Sequence, residues 1–106
     1  MDRKLTLVGV LHTDINGKSR LERAIKEINP ASLTFELDEN HGLRSDNIKR
    51  DEVMESEIRG IWNSGIGDLM HTGGNIHIFG NYPNLYERLK ELNPARYRLN
   101  EFNAAA

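Results

Sequence analysis

The sequence predicts a small α/β domain in which a mostly parallel sheet of four strands is combined with about three helices, in the order β-α-β, helix, β-α-β. Apolar runs of strand length alternate with segments whose apolar residues recur every three or four positions. The segments between the strands are long enough to form the crossovers that parallel strands require. The 106 residues are 38% hydrophobic and 28% charged, which suffices for one core. We therefore expect residues 1–103 to form one domain, followed by a tail at 104–106.

The first β-α-β unit is predicted over the first third of the chain. The run Leu5–Leu11 is apolar almost throughout, as in a strand that is buried on both faces. Ser19–Glu22 has the form of a capping box, and a helical apolar stripe follows it. Asn29-Pro30 ends this helix, because the residue before a proline disfavours the helical conformation. Ser32–Leu37 is the second predicted strand.

The middle of the chain predicts a loop, a helix and a second loop. Asp38–Ser45 is polar, and Asp46–Trp62 has helical periodicity. Its apolar stripe consists of Ile48, Met54, Ile58, Ile61 and Trp62. We place Asp51, Glu52 and Glu55 on the solvent side of this helix. Asn63–Gly74 contains four glycines and is predicted to be the most mobile segment. Residues 71–74 can form a flexible ligand loop, but glycines at this spacing more often mark a turn.

The second β-α-β unit is predicted from residue 75 onward. Asn75–Phe79 is expected to be a short strand, and Tyr82-Pro83-Asn84 to begin a helix with proline near its first turn. Leu85, Leu89 and Leu92 are its expected buried face. Asn93-Pro94 ends the helix, and Tyr97–Phe102 alternates loosely, as an edge strand does.

Composition excludes several functional classes. The formal net charge of −2 and the pI of about 6.1 give no electrostatic reason to expect a nucleic acid or an anionic membrane as partner. The absence of cysteine excludes a disulfide scaffold, a thiolate zinc site and a cysteine nucleophile. No apolar run approaches the roughly 20 residues of a membrane helix, and the first apolar run lacks a signal-peptide cleavage site. We expect a cytoplasmic location.

Three polar residues lie at or near predicted strand ends. His12 follows the first strand, Glu36 lies in the last part of the second, and His77 lies in the predicted third strand. Because parallel strands end at the same edge of the sheet, these side chains can converge, and they suit a divalent transition metal. A structural explanation stays open for each. Glu36, for example, can be neutralised by Arg44 or a lysine, and His77 can face solvent.

Two Gly-x-x-His motifs occur in the chain, Gly9-Val10-Leu11-His12 and Gly74-Asn75-Ile76-His77. The first is followed by Pro30 and Glu36-Leu37-Asp38, and the second by Gly80 and the leucine-rich segment Leu85–Leu92. This pattern resembles the TraB/PrgY-like family, which includes the GumN and TIKI proteins and is similar to ChaN-like and erythromycin-esterase-like proteins. The chain is shorter than that family's usual members. The residues between the Glu-Leu-Asp motif and the second Gly-x-x-His motif are fewer, and the nearest following arginine is Arg44.

The resemblance implies a metal-dependent hydrolase, and a peptidase-like activity is the narrower form of this expectation. It also implies that His12, His77 and Glu36 are essential residues and ligands of Mn²⁺, Co²⁺ or Zn²⁺. Asp38 would support them, and Gly9 and Gly74 would belong to the binding motifs. Whether Glu36 holds the metal or acts as general base is left open. The alternative is a non-catalytic module that binds haem or another small molecule, as ChaN-like proteins do.

We also expect a homodimer or higher oligomer. Three helices hardly cover both faces of a four-stranded sheet, so Met54, Ile58 and Trp62 are expected to be shared with a second copy.

Overall fold

A computed structural model describes residues 3–11, 17–36, 47–65 and 67–102. His12 and Asp38 lie outside the described residues. The strands are β1 (Leu5–Val10), β2 (Ser32–Phe35), β3 (Leu69–Gly74) and β4 (Ala95–Arg98). The helices are α1 (Gly17–Ile28), α2 (Asn47–Ser64), α3 (Asn75–Phe79) and α4 (Leu85–Arg88), with short 3₁₀ turns at Lys90–Leu92 and Leu99–Glu101.

The strands form a four-stranded sheet in the order β2-β3-β1-β4, and all three pairings are parallel. This confirms the predicted α/β class. Strand β1 pairs with β3 from Leu5 opposite Leu69 to Val10 opposite Gly74. Because the strands run in one direction, the residues that follow β2 and β3 are brought to the same edge of the sheet.

Helices cover both faces of this sheet, and each face has its own core. The core under α2, α3 and α4 contains Leu5, Leu7, Met54, Ile58, Leu69, Ile78, Leu85 and Leu89. The core under α1 contains Val8, Ala24, Met70, Leu99 and Phe102. Successive residues of a strand point to opposite faces, so Leu7 and Val8 enter different cores. Each fully buried leucine or isoleucine contributes about 1.5–3 kcal/mol of transfer free energy.

The side chains that were expected to require a second copy pack within one chain, two of them buried and Trp62 partly buried. Met54 is 3% exposed and Ile58 is 0% exposed. Trp62 packs against the same core, and the Arg3 guanidinium lies 4.0 Å from the centre of its ring. These three residues therefore give no reason for a dimer, and self-association stays a prediction.

The third strand lies earlier in the chain than predicted. Residues of the expected mobile segment Asn63–Gly74 form β3, which is buried in the middle of the sheet. Asn75–Phe79, expected to be a strand, is helix α3. Its adjacent residues His77 and Ile78 are both buried whereas Ile76 is 48% exposed, a pattern that a strand with alternating faces does not produce. The paired glycines at the end of β3 concealed the strand signal.

The remaining boundaries differ by a few residues. Helix α1 begins at Gly17, so Ser19 lies within the helix and is not its N-cap. Asn84 caps α4 by accepting a hydrogen bond from the Glu87 N–H. The closing edge strand ends at Arg98, where a 3₁₀ turn begins. In the part of the chain that the structure describes, no helix is both long enough and apolar enough to span a bilayer.

Candidate functional site

Glu36 and His77 meet at the carboxyl ends of β2 and β3. Glu36 directly follows β2, and its N–H donates to the Thr72 carbonyl at 2.9 Å. His77 is the third residue of α3, which begins directly after β3 and so places the ring above the end of that strand. Glu36 Oε2 lies 3.1 Å from His77 Nε2. The carboxylate and the imidazole therefore contact each other although they lie on different elements.

The Glu36 carboxylate is held in its charged form. Its Oε1 accepts a hydrogen bond from the Gly74 N–H at 2.7 Å, and the Arg50 guanidinium lies 3.9 Å from Oε2. Burial alone would raise the pKa of Glu36, but the hydrogen bonds from His77 and Gly74 outweigh it and lower that pKa from 4.5 to about 2. Glu36 is therefore an ionised acceptor at neutral pH.

The His77 ring lies between two carboxylates. Its Nδ1 lies 2.7 Å from Asp51 Oδ1, and its Nε2 faces Glu36. Burial alone would lower the pKa of His77, but the hydrogen bonds to Asp51 and Glu36 raise it from 6.5 to about 9. At neutral pH the ring is therefore an imidazolium that donates from both nitrogens.

Asp51 is buried, contrary to its predicted place on the solvent side of the helix. It is 0% exposed, and its second oxygen accepts a hydrogen bond from the Tyr82 hydroxyl at 2.7 Å. Burial and this hydrogen bond raise the pKa of Tyr82 above its ordinary value. A signal was present in the sequence, because Asp51 precedes Met54 and Ile58 by three and seven residues and so shares their apolar stripe.

A second buried histidine lies beneath the site. His71, in the middle of β3, is 0% exposed. Its Nδ1 lies 2.8 Å from the Thr34 hydroxyl and its Nε2 lies 3.3 Å from Met54 Sδ. Burial lowers the pKa of His71 from 6.5 to about 4, so the ring is neutral at pH 7. Neither a flexible ligand loop nor a turn, the two alternatives considered for 71–74, is present, because this segment belongs to a strand in the middle of the sheet.

The two motif glycines serve close contacts within the chain. A Cβ on Gly9 would lie 2.5 Å from Asn75 Oδ1, so glycine lets β1 approach the start of α3. Gly74 donates its N–H to Glu36, and a Cβ there would lie 3.3 Å from Glu36 Oε1. A ligand-binding role for either glycine stays a prediction.

The site opens to a cleft of about 230 Å³ between the end of β2 and helix α2. The cleft is lined by Glu36, Lys49, Arg50, Val53, Met54 and Glu57. Charged side chains therefore surround a small apolar floor, and Glu36 is shared by the cleft and the contact with His77.

Across residues 3–11, 17–36, 47–65 and 67–102, no group of three or more His, Cys, Asp or Glu is placed to hold a metal ion. Glu36 and His77 supply two donors of the types that Zn²⁺, Mn²⁺ and Co²⁺ accept, and they already touch. The described pair therefore supplies at most two of the ligands that a metal site needs. The expected further ligand His12 lies outside the described residues.

Comparisons with protein-family models, with curated proteins and with solved structures found no match. The likeness to the TraB/PrgY-like family therefore rests on the motifs alone and stays a prediction.

Proposed function

We propose that this chain is a metal-dependent hydrolase of the TraB/TIKI type in which Glu36 and His77 form the centre of the site and His12 completes the ligand set. The observation that carries the proposal is the 3.1 Å contact between Glu36 Oε2 and His77 Nε2 beside an open cleft. Strand ends of α/β sheets are where ligands of such folds bind.

The chain's own residues supply acid–base chemistry. Glu36 is ionised at neutral pH, so its Oε2 can accept a proton from an attacking water. His77 would ligate the metal through Nε2, which requires loss of the proton on that nitrogen. A divalent metal, when bound, supplies Lewis acidity toward a carbonyl and lowers the pKa of a coordinated water.

The cleft suits a small substrate or one short segment of a larger one. Its apolar floor at Val53 and Met54 accepts a short apolar group, and Lys49 and Arg50 lie beside it. We therefore propose ester or peptide substrates with a short apolar group next to the bond that is cleaved.

A non-catalytic binding module for haem or another small molecule is the second candidate. One observation favours it, because the Glu36 and His77 side chains already satisfy each other's charge without a metal. Such a module would bind its ligand and hydrolyse nothing.

Metal content and hydrolysis, measured on the same preparations, test the proposal. The purified chain is stripped with a chelator and titrated with Zn²⁺, Mn²⁺ and Co²⁺, then offered panels of esters and peptides. We expect one metal per chain in the wild type, loss of that metal in His12→Ala and His77→Ala, and no loss in Glu52→Gln, whose exposed carboxylate lies on the same helix as Asp51.

The outcomes separate the two candidates. Metal-dependent hydrolysis that His77→Ala removes supports the hydrolase. Binding of metal or haem without hydrolysis of any panel member supports the binding module. No bound metal and no thermal shift with any of the three ions would falsify the metal proposal.

A further inference from the structure

We infer that Asp51 and Tyr82 are positioning residues, which hold the His77 ring so that its Nε2 faces Glu36. Asp51 and Tyr82 do not line the cleft, and neither belongs to the motifs that resemble those of the TraB/PrgY-like family. The inference rests on the proposed function for its metal readout only, since the orientation of the ring can be measured without metal.

The burial of Asp51 is the first step. A carboxylate that is 0% exposed is strongly unfavourable unless each oxygen has a partner. Both oxygens have one here, since Oδ1 contacts His77 Nδ1 at 2.7 Å and Oδ2 accepts from the Tyr82 hydroxyl at 2.7 Å. Helix α2 thus carries a carboxylate at a buried position, and this carboxylate contacts Nδ1 of His77.

The geometry of the ring is the second step. Which nitrogen of a histidine is presented to a ligand is set by the hydrogen bond that the other nitrogen makes. The bond from Nδ1 to Asp51 leaves Nε2 as the nitrogen that faces Glu36, at 3.1 Å. A carboxylate that contacts the far nitrogen of a metal-binding histidine fixes the orientation of the ring and raises its basicity.

The hydroxyl of Tyr82 is the third step. The hydroxyl oxygen lies 2.7 Å from Asp51 Oδ2 and 3.5 Å from His77 Nδ1. It therefore lies next to the hydrogen bond between Asp51 and His77. Because it occupies the second oxygen, the carboxylate is held against rotation about its own axis. Tyr82 follows α3 in the chain, so the contact joins α2 to the segment that carries His77.

Two variants and one control test the inference. Asp51→Asn keeps the size of the side chain and removes its charge, and Tyr82→Phe removes only the hydroxyl. Glu52→Gln is the control, since it removes a carboxylate from the neighbouring, solvent-facing position of α2. Urea denaturation first establishes the conditions under which each variant is fully folded.

The first readout is the imidazole proton signal of His77 in the metal-free, ¹⁵N-labelled chain. A short Nδ1–H bond to a carboxylate produces a slowly exchanging proton resonance downfield of the amides. The ¹⁵N correlation distinguishes the Nδ1 proton, which faces Asp51, from the Nε2 proton, which faces Glu36. We expect the Nδ1 proton signal in the wild type and in Glu52→Gln, a displaced Nδ1 signal in Tyr82→Phe, and no Nδ1 signal in Asp51→Asn.

The second readout is the zinc affinity of the folded variants by calorimetric titration. We expect Asp51→Asn to weaken zinc binding about 10-fold to 100-fold. Tyr82→Phe should weaken it about 3-fold to 10-fold, as for one hydrogen bond, and Glu52→Gln should leave it unchanged. A merely structural role of Asp51 would lower stability and leave the zinc affinity of the folded chain as it is.

The two proposals fail in different ways. If the wild type binds no zinc, the proposed function is overturned, and the imidazole signal alone decides the inference. A folded Asp51→Asn chain that keeps the downfield Nδ1 proton signal, or keeps wild-type zinc affinity where the wild type binds zinc, overturns the positioning role.

Discussion

The free energy of unfolding of the metal-free chain is expected to fall as the pH rises from 6.5 to about 9, because of His77. Contacts with Asp51 and Glu36 raise the pKa of this histidine from 6.5 in the unfolded chain to about 9 in the folded chain. A group whose pKa is raised on folding contributes its full stability below the unfolded value. It loses that contribution as the pH rises through the folded value.

The size of the fall follows from these two values. The difference between 6.5 and about 9 corresponds to about 3 kcal/mol if it is expressed in full. Glu36 shares the interaction and is partly exposed, so solvent screens part of it. We therefore expect a loss of about 1–3 kcal/mol across this range.

Two other groups, His71 and Glu36, determine how the free energy of unfolding changes below pH 6.5. The pKa of His71 falls from 6.5 to about 4 on folding, so stability is lost as the pH falls from 6.5 toward 4. The pKa of Glu36 falls from 4.5 to about 2, so its contribution is lost below 4.5. Maximum stability is therefore expected near pH 6.5, with a decline on either side.

Urea denaturation followed by circular dichroism, in the presence of a chelator, measures the alkaline side of the profile. In the wild type the midpoint should decrease by about 1 M urea between pH 6.5 and pH 9. His77→Gln has no group to titrate at this position and should give a nearly constant midpoint. A wild-type midpoint that stays constant or rises, or an equal decline in His77→Gln, refutes the assignment of this pKa to the contacts of His77.

Three further predictions concern the scaffold, and the same denaturation assay at neutral pH checks each of them. Ile58→Ala should lower the free energy of unfolding by about 2–5 kcal/mol because Ile58 is 0% exposed. Val53 is 60% exposed on the same helix, so Val53→Ala should change that free energy by about 0.5 kcal/mol or less. Equal effects of the two substitutions would contradict the packing of α2. Gly9→Ala should cost about 1–3 kcal/mol because the new Cβ would lie 2.5 Å from Asn75 Oδ1 and 3.1 Å from Asn75 Cα; a neutral result would mean that α3 does not approach β1 so closely. Asn84→Ala should cost about 1 kcal/mol because it removes the N-cap of α4, and Asn84→Ser should recover most of that loss.

The class of the fold could be predicted because burial on both faces leaves a direct mark on a strand sequence. Leu5–Val10 is almost continuously apolar, and the structure places it between two neighbours and two helical layers. Strand β3 has the same burial but contains His71, Thr72 and two glycines. Its hydrogen bonds to β1 and β2, and not its own composition, decide its conformation, so periodicity alone assigned the strand to Asn75–Phe79.

Asp51 could not be placed by residue type alone. A charged residue on a helix is usually exposed, and that rule placed it in solvent. Its position relative to Met54 and Ile58 indicated the opposite, but the partners that make burial possible are far away in sequence. His77 lies 26 residues from Asp51, and Tyr82 lies 31 residues away.

Glu36 and His77 were predicted to lie at one edge of the sheet, although His77 was assigned to a strand and not to the helix that follows one. The residue that matters is the one that follows the strand end, whichever element it belongs to. In the Gly74–His77 motif the strand ends at the glycine, and the first turn of α3 returns the histidine over that end. A strand over Asn75–Phe79 would instead have placed His77 within the sheet, on one of its faces. The contact with Glu36 at 3.1 Å therefore depends on the strand-to-helix change at Gly74, whose N–H also donates a hydrogen bond to Glu36. One backbone transition thus supplies both the donor that holds the carboxylate and the imidazole that faces it.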